Sequence, residues 1–195
     1  MHDQAPPAAR VRVDARRNRA RLIEAARSAL SASPPGAGAP VSLDAIARAA
    51  GVGIGTLYRH FPTREALTEA VYRAELDGVL AQAAVLLREH EPAEALRLWM
   101  DAYAAFVTAK RGMAESLRSL LQAGTISAAQ TRQRVTDTIQ ALLDAGARAG
   151  SLRADVRADD VAASLVGIFL ATPDPAQHDQ AGRMLDLLAA GIRVP

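Results

Sequence analysis

The segment SLDAIARAAGVGIGTLYRHFPT, residues 42–63, constrains the fold of this chain more than any other. Its apolar residues recur at helical spacing, first Ile46, Ala47 and Ala50 and then Leu57 and Phe61, but glycines at 51, 53 and 55 interrupt the pattern. Glycine costs a helix interior about 1 kcal/mol relative to alanine, so one helix through the whole segment is disfavoured. The pattern predicts two short helices joined by a tight turn at Gly51–Val52. Ser42 is an N-cap for the first, Val41 and Ile46 occupy the hydrophobic-staple positions, and Asp44 suits the dipole of the first turn. Gly51 stands at C′. The second helix, about Ile54 to His60, breaks at Pro62, and Thr63 caps a long helix from Arg64 to about Glu89.

Two short helices around a glycine turn are the outline of a helix-turn-helix. A small shared core of Ile46, Ala47, Ala50, Val52, Leu57 and Phe61 turns Ile54, Gly55, Tyr58 and Arg59 outward, with Thr56 and His60 on a flanking edge. Tyrosine, arginine and histidine beside small residues make a poor core face but a good face for phosphates and base edges. The charge distribution agrees. Residues 1–64 carry ten arginines against four acids (Asp3, Asp14, Glu24, Asp44), a net +6, whereas residues 65–195 carry thirteen cationic residues against seventeen acids, a net −4. Such an asymmetry points to an anionic partner at the N-terminal end, nucleic acid or a membrane surface. Arginines 10, 12, 16, 17, 19 and 21 read as a solvated basic arm and first helix, with at least one reaching phosphate or minor groove.

The remainder is helical throughout. A first helix is expected from about Asp14 to Ala32, with Leu22, Ile23, Ala26, Ala29 and Leu30 facing inward, followed by the loop SASPPGAGAP. Later helices fall at about 92–111, 113–123, 127–149, 158–171 and 176–192, giving about nine helices and no strand, an all-α chain. The longest apolar runs are far short of the ~20 residues that span a bilayer, and no signal-peptide core is visible, so a cytoplasmic location is expected. Cysteine is absent, which excludes disulfides, zinc–thiolate sites and thiol nucleophiles. Histidines 2, 60, 90 and 178 are scattered, so no helical pair holds a metal. No G-x-S-x-G setting surrounds a serine, and Asp159 and Asp160 read as the acidic first turn of a helix. No catalytic set, metal or cofactor is expected.

VSLDAIARAAGVGIGTLYRHFPTREALTEAV, residues 41–71, resembles the DNA-binding segment of TetR-family transcriptional regulators, and the similarity extends over roughly residues 14–71. The resemblance implies residues 1–13 as a disordered basic arm, 14–62 as a three-helix DNA-binding domain and 63–195 as a helical domain for ligand binding and dimerisation. It implies Ile54–His60 as the recognition helix. Ile54, Gly55 and Tyr58 then face base edges or the sugar-phosphate wall, Thr56, Tyr58 and His60 meet phosphates, and Arg59 shares the exposed face. Ser42 contacts phosphate at the start of the preceding helix, and Arg64 stands where many members have lysine. Ile54 and Gly55 depart from the usual pattern and offer the major groove no side-chain hydrogen bond, leaving apolar contact such as with a thymine methyl.

The same resemblance implies a small-molecule effector among the central helices. Trp99, Met100, Tyr103 and Phe106 follow helical spacing, and Met113, Leu117 and Phe169 join them as candidate lining; ordinary core packing is the competing reading for each. It also implies a homodimer through the helices near 158–171 and 176–192, with Ala162, Ala163, Gly167 and Ala171 on one and Gly182, Leu185, Ala189 and Ile192 on the other. The expected function is a ligand-released repressor on a near-palindromic operator. A ligand-independent activator or architectural DNA-binder is the alternative, and a helical enzyme or membrane-surface protein a more distant one.

Overall fold

The computed structural model describes residues 7–31, 42–111 and 113–194. Nine α-helices lie among them: α1 Pro7–Ser31, α2 Leu43–Ala49, α3 Ile54–His60, α4 Arg64–Glu89, α5 Pro92–Arg111, α6 Ala114–Gln122, α7 Ala128–Arg148, α8 Ala158–Ala171 and α9 His178–Ile192. The only strand-like pairing among the described residues is an isolated bridge between Leu152 and Arg193. The fold is all-α with an N-terminal helix-turn-helix, as the periodicity predicts.

Local chemistry sets the boundaries. The Ser42 side chain accepts from the Ala45 amide at 3.3 Å, and Thr63 does the same for Ala66 at 3.1 Å, so α2 and α4 each begin on a hydroxyl cap. Ser127 caps α7 through the Gln130 amide. The staple residue Val41 and the loop 32–41 lie outside the described residues. The start of α1 differs from expectation. Residues 7–13, expected in a disordered arm, belong to the helix. Pro7 fits a first helical position, where its missing N–H costs nothing, and Ala8 and Ala9 are strong helix formers.

The chain divides into two compact units that do not follow chain order. The first is made of the described residues of Met1–Ala74 and Ala109–Ile126, the second of Glu75–Thr108 and Ser127–Pro195. Besides α1–α3, the first unit takes the start of α4 and all of α6. In the first unit Leu22 and Ala26 of α1 are completely buried, α1 packs against α2 and α3, and Ile46, Ala47, Leu57 and Phe61 are buried as well. In the second, Leu96, Trp99, Ile139, Leu142, Leu165 and Leu185 form the centre. Gly146 lets the chain after α7 fold back tightly, since a Cβ there would sit 2.3 Å from Leu152 Cδ1.

Candidate nucleic-acid interface

The turn between α2 and α3 is a Schellman closure. Gly51 has φ +65°, its amide donates to Arg48 at 3.0 Å, and the Val52 amide donates to Ala47 at 3.0 Å. Gly53 begins α3 without a side-chain cap, its carbonyl accepting from Thr56 and Leu57. Leu57 and Phe61 are 0 % and 2 % exposed, which fixes the rotation of α3 about its own axis. Tyr58 is consequently left 49 % exposed, with Gly55 and Arg59 exposed and Ile54, Thr56 and His60 half-buried at the edges. A seven-residue helix is about 10 Å long, a good match to a major groove about 12 Å wide.

Around α3, Ser42 is exposed and Arg64 half-buried at the first position of α4, so the sequence-predicted residues Ser42, Ile54, Gly55, Thr56, Tyr58, Arg59, His60 and Arg64 all belong to the first unit and all keep accessible surface. Two exposed arginines of α1 also have partners beside α3. The Arg21 guanidinium donates to the Gly51 carbonyl at 3.3 Å, and that of Arg19 lies 5.1 Å from the centre of the Phe61 ring. No sequence signal marks these pairings, because the partners lie 30 or more residues away.

In the second unit the aromatic residues form one cluster around Tyr103. Trp99 and Tyr103 are parallel with ring centres 5.4 Å apart, Phe106 lies 5.8 Å and Phe169 6.0 Å from Tyr103. The candidate ligand-lining residues are distributed over both units. Trp99 and Met100 are 0 % exposed, and the Trp99 indole donates to the Val79 carbonyl at 2.9 Å, so both serve as core. Met113 and Leu117 fall in the first unit and are buried there. Of the set, Tyr103 keeps the most accessible surface.

Of the expected dimerisation residues, Ala163, Gly167 and Ala171 are exposed and Gly182 is half-buried, whereas the others face inward. Ala162, Leu185, Ala189 and Ile192 are buried within the chain itself, because α8 and α9 turn these residues onto their own core. The large apolar residues exposed on α8 and α9 are Leu170 and Leu187, each 75 % exposed, and Val166 at 51 %, none of which sequence reasoning singled out. Val166 and Leu170, four apart on either side of Gly167, were the available signal. No helix among the described residues is long and apolar enough to cross a membrane, and no cluster of three potential metal ligands occurs among them.

A helix-turn-helix with an outward Tyr58–Arg59 face on a basic unit, together with a second helical unit, defines a helix-turn-helix DNA-binding regulator. The family profile described as bacterial regulatory proteins, tetR family, matches residues 22–71, and that of the transcriptional regulator SbtR-like C-terminal domain matches residues 91–194. The crystal structure of the TetR transcriptional regulator SCO0520 from Streptomyces coelicolor is 44 % identical, covering 90 % of this chain and 98 % of that one with a TM-score of 0.79. A TetR transcription regulatory protein from Mycobacterium vanbaalenii is 34 % identical, covering 94 % and 99 %, with a TM-score of 0.70. No match was found among curated proteins. This chain belongs to the TetR family of transcriptional regulators, which act by binding DNA and are not enzymes.

Proposed function

We propose that this protein is a cytoplasmic, homodimeric repressor that binds a near-palindromic operator and is released by a small, largely apolar effector. The observation that carries the DNA-binding half is the rotation of α3: burial of Leu57 and Phe61 leaves Tyr58 and Arg59 outward on the basic unit. Tyr58, Thr56, His60, Ser42 and Arg64 hold phosphates, whereas Ile54 and Gly55 bring the helix backbone close to the groove floor. Two recognition helices from two protomers then read half-sites one helical turn apart, about 34 Å.

Dimerisation is supported by the apolar strip of Val166, Leu170 and Leu187 on α8 and α9. A leucine left three-quarters exposed forgoes about 2 kcal/mol of burial, which a second copy recovers. Effector response is supported by the Tyr103–Phe106–Phe169 cluster, in which half-buried Tyr103 is the accessible member and offers its ring to an apolar or aromatic molecule. Trp99 stacks on Tyr103 and holds Val79 of α4, and α4 runs without interruption back to Arg64, three residues after Phe61. An effector that displaces Tyr103 therefore acts on α4 and on the spacing of the recognition helices. By linkage, operator DNA lowers effector affinity by the same factor.

The test is selection of bound duplexes from a random-sequence library, followed by gel shift at several salt concentrations. Absence of any enriched, salt-sensitive site sinks the DNA-binding reading. Thermal unfolding against a library of apolar metabolites tests the effector, since a ligand of the native state raises the melting temperature. A library without any such compound that also loosens the operator complex favours the ligand-independent regulator.

A further inference from the structure

The arginine-rich first helix invites the view that all its arginines neutralise DNA. We infer that Arg21 and Arg19 act differently, as positioning residues that brace the recognition helix at its two ends and do not hold phosphate. This rests on the DNA-binding reading of α3.

The geometry is specific at each end. The Arg21 guanidinium donates to the Gly51 carbonyl, at the left-handed residue of the turn that leads into α3. It fills the space that glycine leaves open, lying 2.3 Å from where a Cβ would be. The absence of a side chain at Gly51 thus serves two purposes, the positive φ and a seat for the guanidinium. At the other end, the Arg19 guanidinium lies over the ring of Phe61, the C-cap residue of α3. The two arginines are two residues apart on α1, and Leu22 and Ala26, both 0 % exposed, lock the rotation of that helix. One rigid helix therefore grips both the entry turn and the exit of the reading helix. A short helix whose own N-cap has no side-chain hydrogen bond gains orientation from such a brace.

A guanidinium that acts on DNA through the helix it holds has a distinct signature. A phosphate contact contributes equally on all sequences and adds about 0.9 to the slope of log K against log salt. A positioning residue affects only the contacts that depend on helix orientation.

The experiment compares the full-length protein with Arg21→Gln, Arg19→Gln and Arg17→Gln, the last an exposed arginine of the same helix that controls for loss of one charge. Affinity is measured across a salt series on a duplex selected by the unaltered protein and on a shuffled duplex of equal length. Arg21→Gln should lose about five- to tenfold more affinity than Arg17→Gln on the selected duplex, match it on the shuffled duplex, and leave the salt slope at the unaltered protein's value. Arg19→Gln should follow the same pattern more weakly. Equal losses on both duplexes with a lowered slope would assign phosphate contact and overturn the inference, and so would losses no greater than the control's. Amide hydrogen exchange in the free protein separates this from failure of the DNA reading. Exchange over Val52–Phe61 should quicken about fivefold in Arg21→Gln relative to α7 amides, and unchanged exchange there overturns the brace whatever the DNA result.

Discussion

Gly51 and Gly55 stand four residues apart, and replacing each by alanine should move stability in opposite directions. At Gly51 the backbone has φ +65°, a conformation that costs an L-residue about 1–2 kcal/mol. The new Cβ also falls 2.3 Å from the Arg21 guanidinium, which has to withdraw and lose its hydrogen bond to the Gly51 carbonyl. An exposed charge-assisted bond of this kind adds about 0.5–1 kcal/mol. Gly51→Ala should therefore destabilise the protein by about 2 kcal/mol, a fall in Tm of about 4–8 °C for a chain of this size. At Gly55 nothing lies within 4 Å of an added Cβ and φ is not positive. Gly55→Ala should stabilise by about 0.5 kcal/mol through helix propensity. Thermal and urea unfolding followed by circular dichroism read both. The two variants should nevertheless agree on DNA. Gly51→Ala loses operator affinity because α3 is misaimed, and Gly55→Ala loses it because a methyl group stands on the reading face. Equal stabilities for the two variants would refute the assignment of the turn. Unchanged operator affinity in Gly55→Ala would refute the close approach of α3 to DNA.

Three further outcomes follow from the same geometry. Tyr58→Phe and His60→Ala should each weaken operator binding about tenfold by gel shift while leaving the melting temperature within about 2 °C, because both side chains keep solvent contact and hold no core; unchanged binding would put the interface on another face. The double variant Leu170→Asp, Leu187→Asp should be monomeric by light scattering at micromolar concentration, with a dimer dissociation constant raised at least about a thousandfold. A dimer that persists would move the interface away from Val166, Leu170 and Leu187. Trp99→Phe removes the buried donor to Val79 and leaves a small void, and should cost about 2 kcal/mol in urea unfolding; a cost below about 0.5 kcal/mol would show that the bond does not hold α4.

The sequence by itself determined the helices and the helix-turn-helix. Periodicity, the caps at Ser42 and Thr63, and the glycine at 51 are local signals, and each is decided within a turn or two of chain. The outward face of α3 was legible for the same reason, because burial of Leu57 and Phe61 fixes where Tyr58 points. Tertiary structure decided what depends on pairs distant in sequence. Leu185, Ala189 and Ile192 read as an apolar stripe of one helix, and only the packing of α9 against α8 shows that they are core and that Leu187 is left exposed. Trp99 and Met100 read equally as lining or as core until Val79 accepts the indole proton and both side chains lose all exposure. Arg19 and Arg21 look like any basic helix surface, because a guanidinium's partner is chosen by what folds within its reach, here Phe61 and Gly51. Local periodicity shows which residues are apolar or charged, and the neighbouring helices decide what each of them meets.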